Sequence, residues 1–126
     1  MINDTVDILD AKVINLGIQY SVLIDTEENK FGALDFINRQ MSTHFSNKYD
    51  IGEPFMYSDI FNVLKNIDFV LDVKDIEVTL QNGPLYETSF YDIKSNLTAD
   101  GRALICPEDH IFEIRFPNID IRGSIV

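Results

Sequence analysis

The sequence predicts an α+β domain, a two-layer sandwich of two helices on a small mixed sheet, followed by an irregular β-rich C-terminal extension. Three observations carry this. Apolar and polar residues alternate at period two from Val13 to Ile24, and again from Ile76 to Leu80; between them, two stretches repeat apolar residues at steps of three and four. Two amphipathic helices must bury both stripes, and laying them side by side on one face of a sheet is the economical arrangement. With 126 residues, 45% of them hydrophobic, the chain has material for one core and not for two.

The first strand shows Ile14, Leu16, Ile18, Tyr20, Val22 and Ile24 on one face, with Asn15, Gly17, Gln19 and Ser21 on the other, the pattern of a strand buried on one side. DTEENK ends it. Phe31, Leu34, Ile37, Met41 and Phe45 then predict a helix, with Thr26 or Asn29 as its N-cap. Asp50 to Phe55 reads as a connector or short strand at a sheet edge, because Gly52 permits unusual backbone angles and Pro54 cannot donate to a central ladder. Ser58 is placed to cap a second helix, whose stripe is Ile60, Val63, Leu64 and Ile67, with Asp59 near its positive end. A hinge, DFVLD, leads into the strand Ile76, Val78, Leu80, which the Asn82-Gly83-Pro84 turn closes.

The last third lacks a helical stripe. Short apolar runs at Leu104 to Cys106, Ile111 to Phe116 and Ile119 to Ile121 are separated by ADGR, CPED and FPN, which are turn signals. The organisation is therefore a lead at 1–12, a core at 13–84 and an extension at 85–126, which either finishes the domain's own sheet or reaches onto another subunit. There is no internal repeat and no low-complexity segment.

Charge excludes some function classes. Lys and Arg total 10 against 21 Asp and Glu, a formal net charge of −11, with no basic cluster from which a nucleic-acid site begins. The acids are spread along the chain, as a solvated surface requires. No apolar run reaches membrane-spanning length and no leader pattern opens the chain, so synthesis in the cytoplasm is expected. A single cysteine, Cys106, excludes an intramolecular disulfide and a cysteine-based zinc site, and its setting LICPED reads as a buried strand end. Neither His44 nor His110 has a neighbour that forms a recognisable triad, and the glycines form no phosphate loop. No metal and no cofactor is expected.

The string IGEPFMYSDIFNVLKNIDFVLDVKDIEVTL, from Ile51 to Leu80, resembles the C-terminal region of baseplate J-like proteins, wedge subunits of contractile phage tails and related injection machines. The shared features are Gly52, Ser58, the apolar hinge with Ile67, Val70 and Val73, and the run Ile76, Val78, Leu80. Where that family usually places glycine before the hinge valine, this chain has Phe69, so a packed aromatic is expected there. The remainder is similar to the large wedge protein of T-even-type phages, in Asp92-Ile93, Asp100-Gly101, Pro107 to Glu113 and Asp120 to Gly123. Wedge proteins are several times longer, and the slack start and apolar ending favour a cut-out domain.

The resemblance implies a structural virion protein of the tail baseplate, assembled in the host cytoplasm and without enzymatic activity. Its implied partners are other baseplate wedge and tail proteins, with a homo-oligomeric or dimeric contact, and neither nucleic acid nor membrane. Tyr86, Phe90, Tyr91, Phe112, Phe116, Ile119 and Ile121 are the interface candidates, since Tyr and Phe supply large contact area at low entropy cost. The alternatives are an acidic decoy for a nucleic-acid enzyme, which needs carboxylates dense along one face, and, further off, a small hydrolase-like domain.

Overall fold

A computed structural model describes residues 12–25, 29–46, 49–86 and 91–126. The elements are β1 (Lys12–Ile24), α1 (Lys30–Phe45), β2 (Phe55–Met56), α2 (Tyr57–Lys65), β3 (Val70–Leu80), β4 (Ala103–Leu104), β5 (His110–Glu113), α3 (Pro117–Asp120) and β6 (Ile121–Ile125). The architecture is mixed α+β, as the sequence predicts. Among the described residues no helix is long and apolar enough to cross a membrane.

β1 is the axis of the sheet. On one side it pairs antiparallel with β3, from Leu16↔Leu80 to Ile24↔Val70. On the other it pairs parallel with two strands laid end to end, β5 against residues 12–15 and β6 against residues 18–22. Between Glu113 and Ile121 the edge chain leaves the ladder, turns through α3, and returns. Residues 110–125 thus finish the domain's own sheet, the first of the two alternatives left open for the extension. A separate two-stranded ribbon pairs β2 with β4, Phe55 opposite Leu104.

Both helices lie on the face carrying Ile14, Leu16, Ile18, Tyr20 and Val22. In α1 the Asn29 side chain accepts from the backbone N–H of Phe31 and Gly32, so Asn29 is the cap, while Thr26 lies outside the described residues. The buried stripe is Ala33, Ile37, Met41 and Phe45, whereas Phe31 is 88% exposed. The stripe predicted from Phe31 is corrected there, because a helix whose inner face runs through 37, 41 and 45 places residue 33, not 31, one turn earlier.

Ser58 does not cap α2. β2 runs straight into the helix at Tyr57, whose N–H donates to the carbonyl of Arg102, so the start is fixed by the ribbon and not by a side chain. Ile60, Leu64 and Ile67 are buried and Val63 is half-buried.

The hinge DFVLD is mostly strand. β3 begins at Val70, and register shifts against β1 leave Leu71 and Lys74 as extra residues, which destroys the period-two signal there. Phe69 is half-buried with its ring centroid 5.8 Å from that of Phe36, the packed aromatic expected at that position.

β1 departs from one-sided burial in its first half. Asn15 is buried, its amide donating to Glu113 Oε1 at 2.9 Å, and Gly17 lies against the Thr79 and Gln81 side chains and the Asp120 carbonyl. The returning edge chain covers this stretch, which a local alternation cannot foresee.

At one end of the core the aromatic rings gather around Phe55, which lies within 5.7–6.4 Å of Phe45, Tyr49, Tyr57 and Phe112. Each ring buried this way contributes on the order of 1.5–3 kcal/mol from apolar burial alone. The ADGR turn forms as predicted: Gly101 takes a positive φ of 73°, and the Asp100 carboxylate accepts from Thr98 and from the Arg102 N–H.

Candidate interaction surface

The seven aromatic and aliphatic side chains singled out in the extension divide sharply. Phe112 and Ile121 are 1% and 3% exposed and belong to the core, one opposite Ile14 and the other opposite Ile18 in the sheet. Tyr91 is buried against Phe112 at 5.5 Å, and its hydroxyl donates to the Ile105 carbonyl at 2.6 Å. These three present nothing to a partner: their run of apolar character comes from closing the sheet. Phe90 lies outside the described residues.

Tyr86, Phe116 and Ile119 stay together at the surface beside α3. The Tyr86 hydroxyl donates to Asp120 Oδ1 at 2.6 Å, and its ring meets Phe116 edge-on at 5.6 Å. Arg115 covers the other ring, its guanidinium 5.5 Å from the Phe116 centroid. The carboxylate of Asp120, itself buried, also accepts from the Phe116 N–H, so one acid anchors both aromatics. Ile119 is 56% exposed. Leu85, Leu97, Ile105 and Val126 are further large apolar side chains of the extension left in solvent.

Besides a hollow of about 280 Å³ beside Thr79, Gln81, Tyr86, Ile119 and Asp120, two more border the sheet and helices among the described residues. One, of about 410 Å³, runs between α1 and α2 past Phe36, His44, Val63 and Ile67. The other lies on the face of the sheet away from the helices, with Gln19, Asp75, Glu77 and Arg122 around it and a volume of about 220 Å³. Its lining is polar.

The titratable groups that shift do so for structural reasons. Burial lifts the phenols of Tyr20, Tyr49 and Tyr91 well above their ordinary range. Burial likewise pushes the Cys106 thiol up, and its Sγ lies 3.2 Å from the His110 carbonyl, the setting of an inert thiol. Hydrogen bonds from Thr98 and from the Arg102 backbone hold Asp100 below the usual carboxylate value. His110 Nδ1 sits 2.8 Å from the Glu108 carbonyl, and His44 closes α1 with its ring against Phe45. Among the described residues no group of three or more His, Cys, Asp or Glu side chains converges as a metal site would.

The surface that sequence reasoning missed is the outer edge of β3. Among the described residues β3 pairs only with β1, so the other side of an eleven-residue strand carries no partner. The edge predicted at Pro54 is real but short, since β2 has two residues. The signal for β3 was present in its alternating acids, Asp75 and Glu77, because strands at a sheet edge commonly carry charges.

No protein family matches the chain, and no curated protein or solved structure is significantly similar to it.

Proposed function

We propose that this chain is a structural, subunit-joining domain of the baseplate wedge in a contractile tail, acting by protein contact and without catalysis. The observation that carries the reading is the surplus of apolar surface on residues 85–126. The core is closed by Tyr91, Leu104, Phe112 and Ile121, yet Leu85, Leu97, Ile105, Ile119 and Val126 remain exposed on the same segment. Exposed large apolar side chains are denser on this segment than on the rest of the described chain, where Phe31, Phe36, Met56, Phe61 and Leu71 are spread over nearly twice as many residues, and apolar surface marks a contact where it is contiguous. The order strand, helix, edge, helix, strand, on which the resemblance to baseplate J-like proteins rests, is kept from β1 to β3. The partners in this reading are other wedge and tail proteins, with a homo-oligomeric contact, in the virion.

The test is recovery of bound proteins on the tagged chain from cells making the cognate tail components. Wedge and tail-tube proteins are expected, with recovery lost in Ile119→Asp and Leu85→Asp variants whose circular dichroism and melting match the parent. Recovery of nucleic-acid enzymes that DNA displaces at low salt would replace this reading with the decoy. Phe112→Ala and Ile121→Asp, although in the same region, report on folding and not on contact.

A further inference from the structure

We propose that the outer edge of β3, beneath one flank of α2, accepts an extended segment of another protein as an added strand, and that this segment alternates basic and apolar residues. The contact does not depend on the assembly in which the domain works.

The edge is regular where it matters. The extra residues Leu71 and Lys74 fall in the first half of β3, while Asp75 to Leu80 pair without interruption to Ser21 through Leu16. That leaves six residues, about 20 Å, of free ladder, the length over which peptides are taken up as added strands.

The two faces beside this edge differ in chemistry, and the difference defines the guest. On the helix side, Ile76, Val78 and Leu80 face inward opposite Tyr20, Ile18 and Leu16, and the outermost, Ile76 and Leu80, are only half-buried. Above them stands one flank of α2. Tyr57, Phe61 and Lys65 recur every four residues and so share a side of the helix. Lys65 Nζ donates to the Leu71 carbonyl at 3.4 Å, which places that side over β3. Phe61 is 44% exposed, so the same flank leaves an aromatic ring uncovered beside the strand. Tyr57 has its phenol raised first by burial and then by the charge of Glu77, consistent with Glu77 lying near the same edge.

On the opposite face Asp75 and Glu77 point away from the helices, exposed, and among the described residues neither forms an ion pair. Arg122, across the sheet on β6, directs its Nε to the Ile119 carbonyl. An added strand sets its side chains alternately against the two faces. Those on the helix side must be apolar to pack beneath Phe61, and those beside Asp75 and Glu77 are stabilised as Lys or Arg.

The same charges disfavour a second copy of this chain. Two β3 strands joined at this edge would bring Asp75 and Glu77 of one beside those of the other, and like charges across strands are destabilising. Acids alone would serve to guard a bare edge. A guard has no use for an exposed phenylalanine standing over the ladder.

The experiment follows backbone amide resonances of the whole chain during titration with a short acetylated peptide alternating lysine with valine. The control alternates glutamate with valine. Shifts concentrated at Asp75 to Leu80 and at Phe61, with slowed amide exchange on β3, are expected for the lysine peptide alone. Asp75→Lys with Glu77→Lys should weaken binding by about tenfold or more, two cross-strand pairs being reversed. Phe61→Ala should weaken it as well, and neither exposed change should alter the melting curve appreciably. Proline at alternate peptide positions should abolish binding, since it removes the donors of the new ladder.

Shifts spread evenly over acidic positions such as Asp35 and Asp100 would reduce the effect to charge attraction and overturn the proposal. Absence of binding would also overturn it. So would protection of β3 that rises with protein concentration in the absence of peptide, which would identify a second copy as the occupant.

Discussion

A single added methyl group at Gly123 tests the packing of β6 on the sheet. Gly123 sits opposite Tyr20 in the β1–β6 ladder, and the Tyr20 ring lies across it to reach the side chain of Asn38 on α1. A Cβ built on Gly123 would come closer than 3.0 Å to two atoms of that ring and to its hydroxyl oxygen, a separation at which something must move. Gly123 has no positive φ, so the cost comes from space alone. Tyr20 is 3% exposed and cannot swing into solvent without leaving the core. Overpacking of this kind costs about 1–3 kcal/mol, and losing the bond to Asn38 adds about 1 kcal/mol. Removing a glycine from a strand returns roughly 0.5–1 kcal/mol. Gly123→Ala is therefore expected to destabilise by about 1–3.5 kcal/mol, a fall of roughly 4–14 °C in Tm for a domain of this size. Urea unfolding followed by circular dichroism measures it. In a Tyr20→Val background the clash is gone, so the same substitution should become neutral or slightly stabilising. Gly123→Ala that is harmless in the parent, or equally costly in both backgrounds, would refute the packing described here.

Phe55→Ala, at the centre of the aromatic cluster, should cost about 3–5 kcal/mol, whereas Phe31→Ala, on the exposed start of α1, should stay within about 0.5 kcal/mol by the same assay. Cys106 should react with alkylating reagents more slowly than a free thiol at pH 8 to 9 in the folded protein, and at the ordinary rate in urea, because burial raises its pKa. Tyr20 and Tyr91 have folded pKa values raised above the unfolded value of about 10, so the stability they contribute is complete below pH 10 and is lost as pH climbs beyond it. Absorbance titration should accordingly show their ionisation appearing together with unfolding, and reversible ionisation of both in a protein still folded would contradict their burial. Asp100 has the opposite sign: its depressed pKa favours the fold above the normal carboxylate range and ceases to do so as pH falls, so Asp100→Asn should flatten the acid limb of the stability profile.

The parts of the fold visible in the sequence are those whose burial depends on one face of one element. β1 declares itself through six apolar residues at even positions, and α2 through Ile60, Leu64 and Ile67, because each faces a single layer. What escaped depends on neighbours distant in the chain. Two extra residues in β3 broke its alternation between Val70 and Asp75, and its pairing became evident only against β1. Ser58 has the chemistry of a cap, but the hydrogen bond from Tyr57 to Arg102 decides where α2 begins. Asn15 looked solvent-facing until Glu113 arrived from 98 residues further on. The candidate surface was obscured for the same reason. Phe112, Ile119 and Ile121 are equally apolar in sequence, and only the return of the edge chain to β1 sends two of them inward and leaves Ile119 outside. Edge status is a property of strand order, so the free side of β3 had no local marker beyond its acids.

The end-to-end placement of β5 and β6 along β1 also sets how this domain comes into being. Ile18 must wait for Ile121, and Lys12 for His110, before the side of the central strand away from β3 is closed. Separations near 100 residues carry a loop-closure cost before any packing is gained. Folding should therefore be a late and concerted event, slow for the chain's size. On the ribosome β1, α1, α2 and β3 would form a hydrophobic half-sheet that stays open until residues 110–125 emerge. During that interval Ile14 and Ile18 lack neighbours on one side of the strand, and chaperone binding or non-native pairing competes with closure.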